Sequence, residues 1–166
     1  MAYDLDTDEE AKISYHIKKF LLYPQFWNDA INQIHVNLRW KQIKFVPQNK
    51  SKIPLSKGVY AFIIKPQYDN FFETNYLFYV GKTNRTLQKR FDEYLDEQAG
   101  KGKPRKKLFK MFKVYREYLH FYYAELSNKS DVDSTEKQIL NTFVPQVNTQ
   151  IPKAKIKPEL MYIYEQ

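Results

Sequence analysis

The feature that most restricts this fold is a pair of apolar, β-rich runs with little chain between them. The first spans Gly58–Ile64 and is closed by Pro66; the second covers residues 76–80. So short a separation is expected of an antiparallel pair, because parallel neighbours need a long crossover. The two runs carry glycine and tyrosine in mirrored order, as Gly58-Val59-Tyr60 and Tyr79-Val80-Gly81. Pairing them would bring two phenols close together.

Helical signals surround this pair. Thr7, Asp8, Glu9 and Glu10 read as a capping box, opening a helix with Ile13, Ile17, Phe20 and Leu21 on one face until Pro24 breaks it. A second helix is expected over residues 25–37, burying Trp27, Ile31 and Ile34. Residues 45–55, with Pro47 and Pro54, read as a connector, and residues 68–75 as a turn or loop. Thr86 can cap a helix over Leu87–Gln98, with Leu87, Phe91, Tyr94 and Leu95 on or near one face. Residues 100–107 break that helix, and helical spacing resumes at Leu108, Phe112 and Tyr115. Residues 119–126 are a third strand candidate. Asp133, Ser134, Thr135 and Glu136 read as another helix start, followed by Ile139, Leu140 and Phe143 and ended by Pro145. Residues 160–164 are a candidate last strand. The order predicts an α/β (α+β) fold, with a small three-stranded, mainly antiparallel sheet flanked by helices.

Composition narrows the function. A chain of 166 residues fits one domain by the length prior. The absence of cysteine excludes a disulfide framework, a thiolate zinc site and a thiol nucleophile. His16 and His35 do not stand at metal-ligand spacing in the sequence and read as surface or boundary residues. No apolar stretch approaches the length of a membrane span, and the acidic first ten residues are unlike a signal peptide. The expectation is a cytoplasmic protein with no membrane partner. A net charge of +8 attracts polyanions, and nucleic acid is the leading class.

With these elements in order, residues 58–148 resemble the GIY-YIG nuclease domain. The motifs stand as Gly58-Val59-Tyr60 and Tyr79-Val80-Gly81, with valine in place of isoleucine in both. Lys82 and Thr83 follow as the basic and small polar pair. Leu87 and Arg90 keep the leucine-to-arginine spacing, and Tyr94 lies one turn further on. Glu136 falls on a later helix, and Asn148 follows after the Pro145 turn. Residues 1–57 are expected to form an N-terminal helical extension, and 149–166 a C-terminal extension with a possible strand, both outside the resemblance.

The resemblance implies an endonuclease that hydrolyses DNA, leaving a 3′-hydroxyl and a 5′-phosphate. Its catalytic set would be Tyr60, Tyr79, Lys82, Arg90, Tyr94, Glu136 and Asn148. A motif tyrosine, Tyr60 or Tyr79, would activate water. One divalent metal, Mg²⁺ with Mn²⁺ as a substitute, would sit on Glu136.

The chemistry agrees with these assignments. A phosphorane needs positive charge, and Arg90 can fork onto two phosphate oxygens. A free phenol, with a pKa near ~10, is a poor base at neutral pH, so nearby cations such as Lys82 and Arg90 are expected to favour phenolate. Glu136 competes between helix capping and metal ligation, and Asn148 between turn formation and orienting backbone or substrate. Lys101, Lys103, Arg105, Lys106 and Lys107 form a basic run able to contact the DNA backbone. Asn28, Asn32, Gln33 and Asn37 are of the type that reads base edges.

A restriction-type enzyme, or a phage or mobile-element nuclease, fits a chain with no separate DNA-binding domain, and two-strand cutting would favour a homodimer on DNA. The alternatives are an inactive nucleic-acid-binding module and an RNA-directed nuclease.

Overall fold

The structure, a computed structural model, describes residues 13–31, 34, 36–66 and 73–148. The capping box at residues 7–10, Asn32, Gln33, His35, most of the 68–75 turn and the candidate strand at 160–164 lie outside the described residues.

Four strands form one sheet in the order β1-β4-β2-β3, antiparallel throughout. They are β1 (Lys41–Lys44), β2 (Gly58–Ile64), β3 (Tyr76–Thr83) and β4 (Leu119–Glu125). The expected hairpin of β2 and β3 is present, and it runs further than the apolar pattern indicated. Gly81, Lys82 and Thr83 are still paired, opposite Tyr60, Val59 and Gly58. A register shift between Phe62 and Ile63 re-aims the far half of the pair.

Strand alternation sorts the core into two faces. Tyr60, Phe62 and Phe121 point to one side, where they meet Phe91 and Tyr94 of α3 (Leu87–Gln98) and Leu108 and Phe112 of α4 (Lys106–Val114). Val59, Ala61, Val80 and Ala124 point to the other, against Val132, Ile139 and Leu140 of α5 (Lys129–Phe143). The first face is rich in aromatic rings, with ring centroids of Phe45, Phe62, Phe91, Phe112 and Phe121 packed mostly edge to face at 4.9–5.4 Å. Thr86 caps α3 as expected, its hydroxyl accepting from the Lys89 amide at 3.1 Å.

Several expectations change. The sheet has four strands rather than three, because Lys41–Lys44 of the supposed helical extension pairs with β4. Phe45 beyond it is a core residue, 1% exposed. Only Ile13–His16 (α1) of the first predicted helix is helical among the described residues, and Ile13 and Ile17 are exposed. Pro24 opens the second helix, α2 (Pro24–Ile31), instead of merely ending the first; proline suits the first helical position, where its missing N–H is not needed. That helix stops at Ile31, packs on α5 and leaves Trp27 exposed rather than buried. Asp133, Ser134, Thr135 and Glu136 do not open a helix. They lie inside α5, which starts at Lys129 after its N-cap, Asn128. The capping role weighed for Glu136 therefore falls away.

Candidate active site

The site grows from the β2–β3 register. Tyr60 faces Gly81 across the pair, and the missing side chain at 81 is what lets the Tyr60 ring tip cross there. A Cβ at that position would stand 2.5 Å from Tyr60 Cζ and Oη. Arg90 and Tyr94, four residues apart on α3, face this ring together. Arg90 Nε donates to Tyr60 Oη at 3.0 Å and Nη2 to Tyr94 Oη at 3.1 Å. The Tyr60 and Tyr94 hydroxyls are 2.9 Å apart, and Tyr94 Oη donates to Tyr79 Oη at 3.3 Å. The two motif phenols are thus joined through a third, with Tyr94 as the link.

Carboxylates on α3 hold the arginines in place. Glu93 accepts Arg90 Nη1 at 2.7 Å and also takes Arg85 at 2.7 Å. One turn along, Glu97 accepts three bonds from Arg105: the backbone amide at 2.8 Å, Nε at 3.0 Å and Nη2 at 2.9 Å. The remaining Arg105 nitrogen, Nη1, reaches Tyr79 Oη at 3.4 Å.

Electrostatically the phenols behave differently from the expectation. Burial pushes Tyr60 up to about 12, with Tyr79 adding to the rise, and the pull of Arg90 only partly offsets it. Burial also drives Tyr79 and Tyr94 well above the ordinary phenol range. Cations beside these hydroxyls do favour phenolate, but loss of water outweighs them. Burial works against charge on Arg90 and Arg105. The phenols together with Glu93 and Glu97 outweigh it, so both guanidinium groups stay charged.

Lys82 is not a partner of the phenols. It pairs in register with Val59, so alternation puts it on the α5 face, opposite Tyr60. There its Nζ sits 3.1 Å from both Asp133 and Glu136. Burial opposes the ammonium, but these two carboxylates more than compensate and hold its pKa above the usual lysine value. Asp133, one turn before Glu136, is held below the usual carboxylate range, by Lys82 first and then by Asn84.

Among the described residues no three acidic or histidine side chains gather as a metal site. Glu136 and Asp133 nevertheless present hard oxygen donors towards one cationic position. That donor set fits a hydrated magnesium-type ion, which takes only one or two protein carboxylates.

Asn148 stands apart from the hydroxyls. Its Oδ1 accepts the Val80 amide at 2.9 Å and its Nδ2 donates to the Val80 carbonyl at 2.8 Å. It completes the outer edge of β3 as a further strand would, at the motif's central residue. The geometry matches both readings weighed for it: its own backbone amide closes a turn onto the Pro145 carbonyl at 3.2 Å, and its side chain orients the Val80 backbone.

The basic run after α3 is divided. Lys101 pairs with Asp96 at 2.6 Å and Arg105 is tied to Glu97, while Lys103, Lys106 and Lys107 are exposed. Gly100 and Gly102 take positive φ of 73° and 71°, which turns the chain so that Arg105 returns towards the phenols. Sequence reasoning missed the parts played by Glu93, Glu97 and Asp133. Glu93 carried a readable signal, three residues from Arg90 on one helix; the others depend on tertiary contact.

An arginine and three phenols are thus hydrogen-bonded between the β2–β3 hairpin and the helix that follows it. The family model described as the GIY-YIG catalytic domain matches residues 56–149, more than half of the chain. The chain belongs to the GIY-YIG family, a family of nuclease-type endonuclease domains. No curated protein and no solved structure matches it. Among the described residues no helix is long and apolar enough to cross a membrane.

Proposed function

We propose that this protein is a metal-dependent endonuclease that hydrolyses DNA phosphodiester bonds. The observation that carries this reading is the convergence of Tyr60 and Tyr94 on the Arg90 guanidinium, with Tyr79 joined to them through Tyr94. A motif tyrosine, once ionised to phenolate, takes a proton from the attacking water. Arg90, which pulls the Tyr60 pKa down against its burial, favours that phenolate, and the chain of three hydroxyls lets charge be shared between Tyr60 and Tyr79. Arg90 meets the phosphate oxygens as negative charge builds on them. Tyr94 orients the phosphate or the water.

Glu136 would hold one divalent ion, Mg²⁺ or Mn²⁺, with waters and phosphate oxygens as its other ligands. When bound, such an ion neutralises charge on the phosphate and the leaving oxygen. Lys82, 3.1 Å from both Glu136 and Asp133, holds these two carboxylates towards one position. Asn148 fixes the β3 backbone beneath the second motif. Lys103, Lys106 and Lys107 contact the DNA backbone. The setting is a restriction system or a phage or mobile element, in the cytoplasm, with a homodimer cutting both strands.

The test is incubation of purified protein with supercoiled plasmid and with RNA, in Mg²⁺ or Mn²⁺, against an EDTA control and against Glu136→Ala and Arg90→Ala. Metal-dependent cleavage of DNA, lost in EDTA and in both variants, is expected. Discrete fragments would identify a restriction-type specificity. Failure to cut either nucleic acid in either metal, or full activity in Glu136→Ala, would overturn the reading.

A further inference from the structure

We propose that Arg105 is a second arginine of the active site, a positioning residue that holds the Tyr79 phenol, and not a contact to the DNA backbone. The inference rests on the nuclease reading above for its kinetic consequence, but its structural content stands separately. Arg105 lies in the basic run and is exposed like its neighbours Lys103 and Lys106, its side chain 48% accessible, but unlike them it is held by a carboxylate and reaches a motif phenol. Its amide and two of its guanidinium nitrogens are occupied by Glu97 at 2.8–3.0 Å. Its third nitrogen reaches Tyr79 Oη at 3.4 Å, and the guanidinium carbon lies 5.4 Å from the Tyr94 ring centroid and 5.9 Å from that of Tyr79.

The arrangement repeats the Arg90 one. Arg90 is fixed by Glu93, bonds two phenols and lies 4.5 Å over the same Tyr94 ring. Glu93 and Glu97 are one helical turn apart on α3, with Tyr94 between them. The central phenol therefore stands between two guanidinium groups, each fixed by its own carboxylate. Arg90 serves the Tyr60 end of the hydroxyl chain and Arg105 the Tyr79 end.

Two roles for Arg105 predict opposite signs when Glu97 is neutralised. A backbone contact would be strengthened, because the competing carboxylate is gone, so Glu97→Gln would bind DNA more tightly. A positioning residue would be loosened, so Glu97→Gln would lower kcat and leave KM for DNA unchanged. For Arg105→Gln, positioning predicts a fall in kcat of about a hundredfold, the scale of a misplacement near 1 Å, with KM and the salt dependence of binding unchanged. Arg105→Lys keeps the charge but not the planar fork, and should recover only part of the loss.

The experiment combines these kinetics with fluorine NMR of protein labelled with 3-fluorotyrosine, the Tyr60, Tyr79 and Tyr94 signals being assigned by their loss in the phenylalanine variants. Arg105→Gln should move the Tyr79 and Tyr94 signals and leave that of Tyr60 in place. An unmoved Tyr79 signal, or tighter DNA binding in Glu97→Gln with kcat intact, would overturn the proposal. If the wild-type protein cuts no nucleic acid, the nuclease reading fails and the fluorine signals alone decide the place of Arg105. Should Arg105→Gln fail to fold, Glu97→Gln carries the same comparison.

Discussion

Replacing Gly81 by alanine tests how tightly the site is built. Gly81 does not have positive φ, so the need for glycine there is steric. The new Cβ would lie 2.5 Å from Tyr60 Cζ and Oη, where ordinary contact is about 3.5 Å, so the ring tip must retreat by roughly 1 Å. Tyr60 has little freedom to do so. It is 1% exposed, stacked on Phe121 at 5.3 Å and bonded to Arg90 and Tyr94 at 3.0 and 2.9 Å. Overpacking of this kind costs about 2 kcal/mol, which lowers Tm by about 4–8 °C in a domain of this size. Because the ring that moves carries a motif hydroxyl, the cleavage rate should fall about a hundredfold. Calorimetry and single-turnover cleavage of plasmid DNA measure the two effects. Tyr60→Phe removes one of the three clashing atoms, Oη, and leaves Cζ and Cε2, so the double variant should be less destabilised than the sum of the singles by ~1 kcal/mol. A Gly81→Ala protein that melts and cuts like the wild type, or strictly additive costs, would refute the reasoning.

Two further predictions follow from buried polar groups. Asn148→Ala leaves the Val80 amide and carbonyl without their partners at 2.9 and 2.8 Å, and should cost about 2–4 kcal/mol in urea unfolding. An unchanged midpoint would show that water replaces both bonds. The Tyr60 phenol, pushed up to about 12 in the folded protein from an ordinary 10.0, favours the folded state only while protonated. Its contribution is whole below about pH 10 and is lost as pH rises towards 12, so Tm should hold level and then fall across that window, less steeply in Tyr60→Phe. Identical alkaline slopes in the two proteins would contradict the assignment.

Local signals made part of this molecule legible. The Thr86 cap and the Arg90–Tyr94 spacing lie within a few residues of chain, the β2–β3 hairpin within one local segment, and period-2 and period-3.6 patterns report them directly. β1 gave no such signal. Lys41, Gln42, Ile43 and Lys44 offer one apolar side chain, as befits a short edge strand, and its partner lies far along the chain in β4. Asp133 to Glu136 imitated a helix start because a hydroxyl and a carboxylate three apart look the same inside a helix as at its end. In the site, the pairing of Lys82 with Glu136 depended on strand alternation and on α5 crossing the sheet. Arg105 was grouped with its lysine neighbours because charge along the chain cannot show that Gly100 and Gly102 turn one member of the run back onto Glu97 and Tyr79.

β1 and Phe45 bear on how portable this catalytic unit is. The family match begins at residue 56, yet the Phe45 ring is wedged among Phe62, Phe91 and Phe112, and β1 lies along the outer side of β4. The inherited segment and the mechanical one therefore have different limits. Grafted into another protein from its matched start, the nuclease segment would carry a hole where that ring belongs and a bare strand edge. It would then be prone to join the edge of its nearest copy.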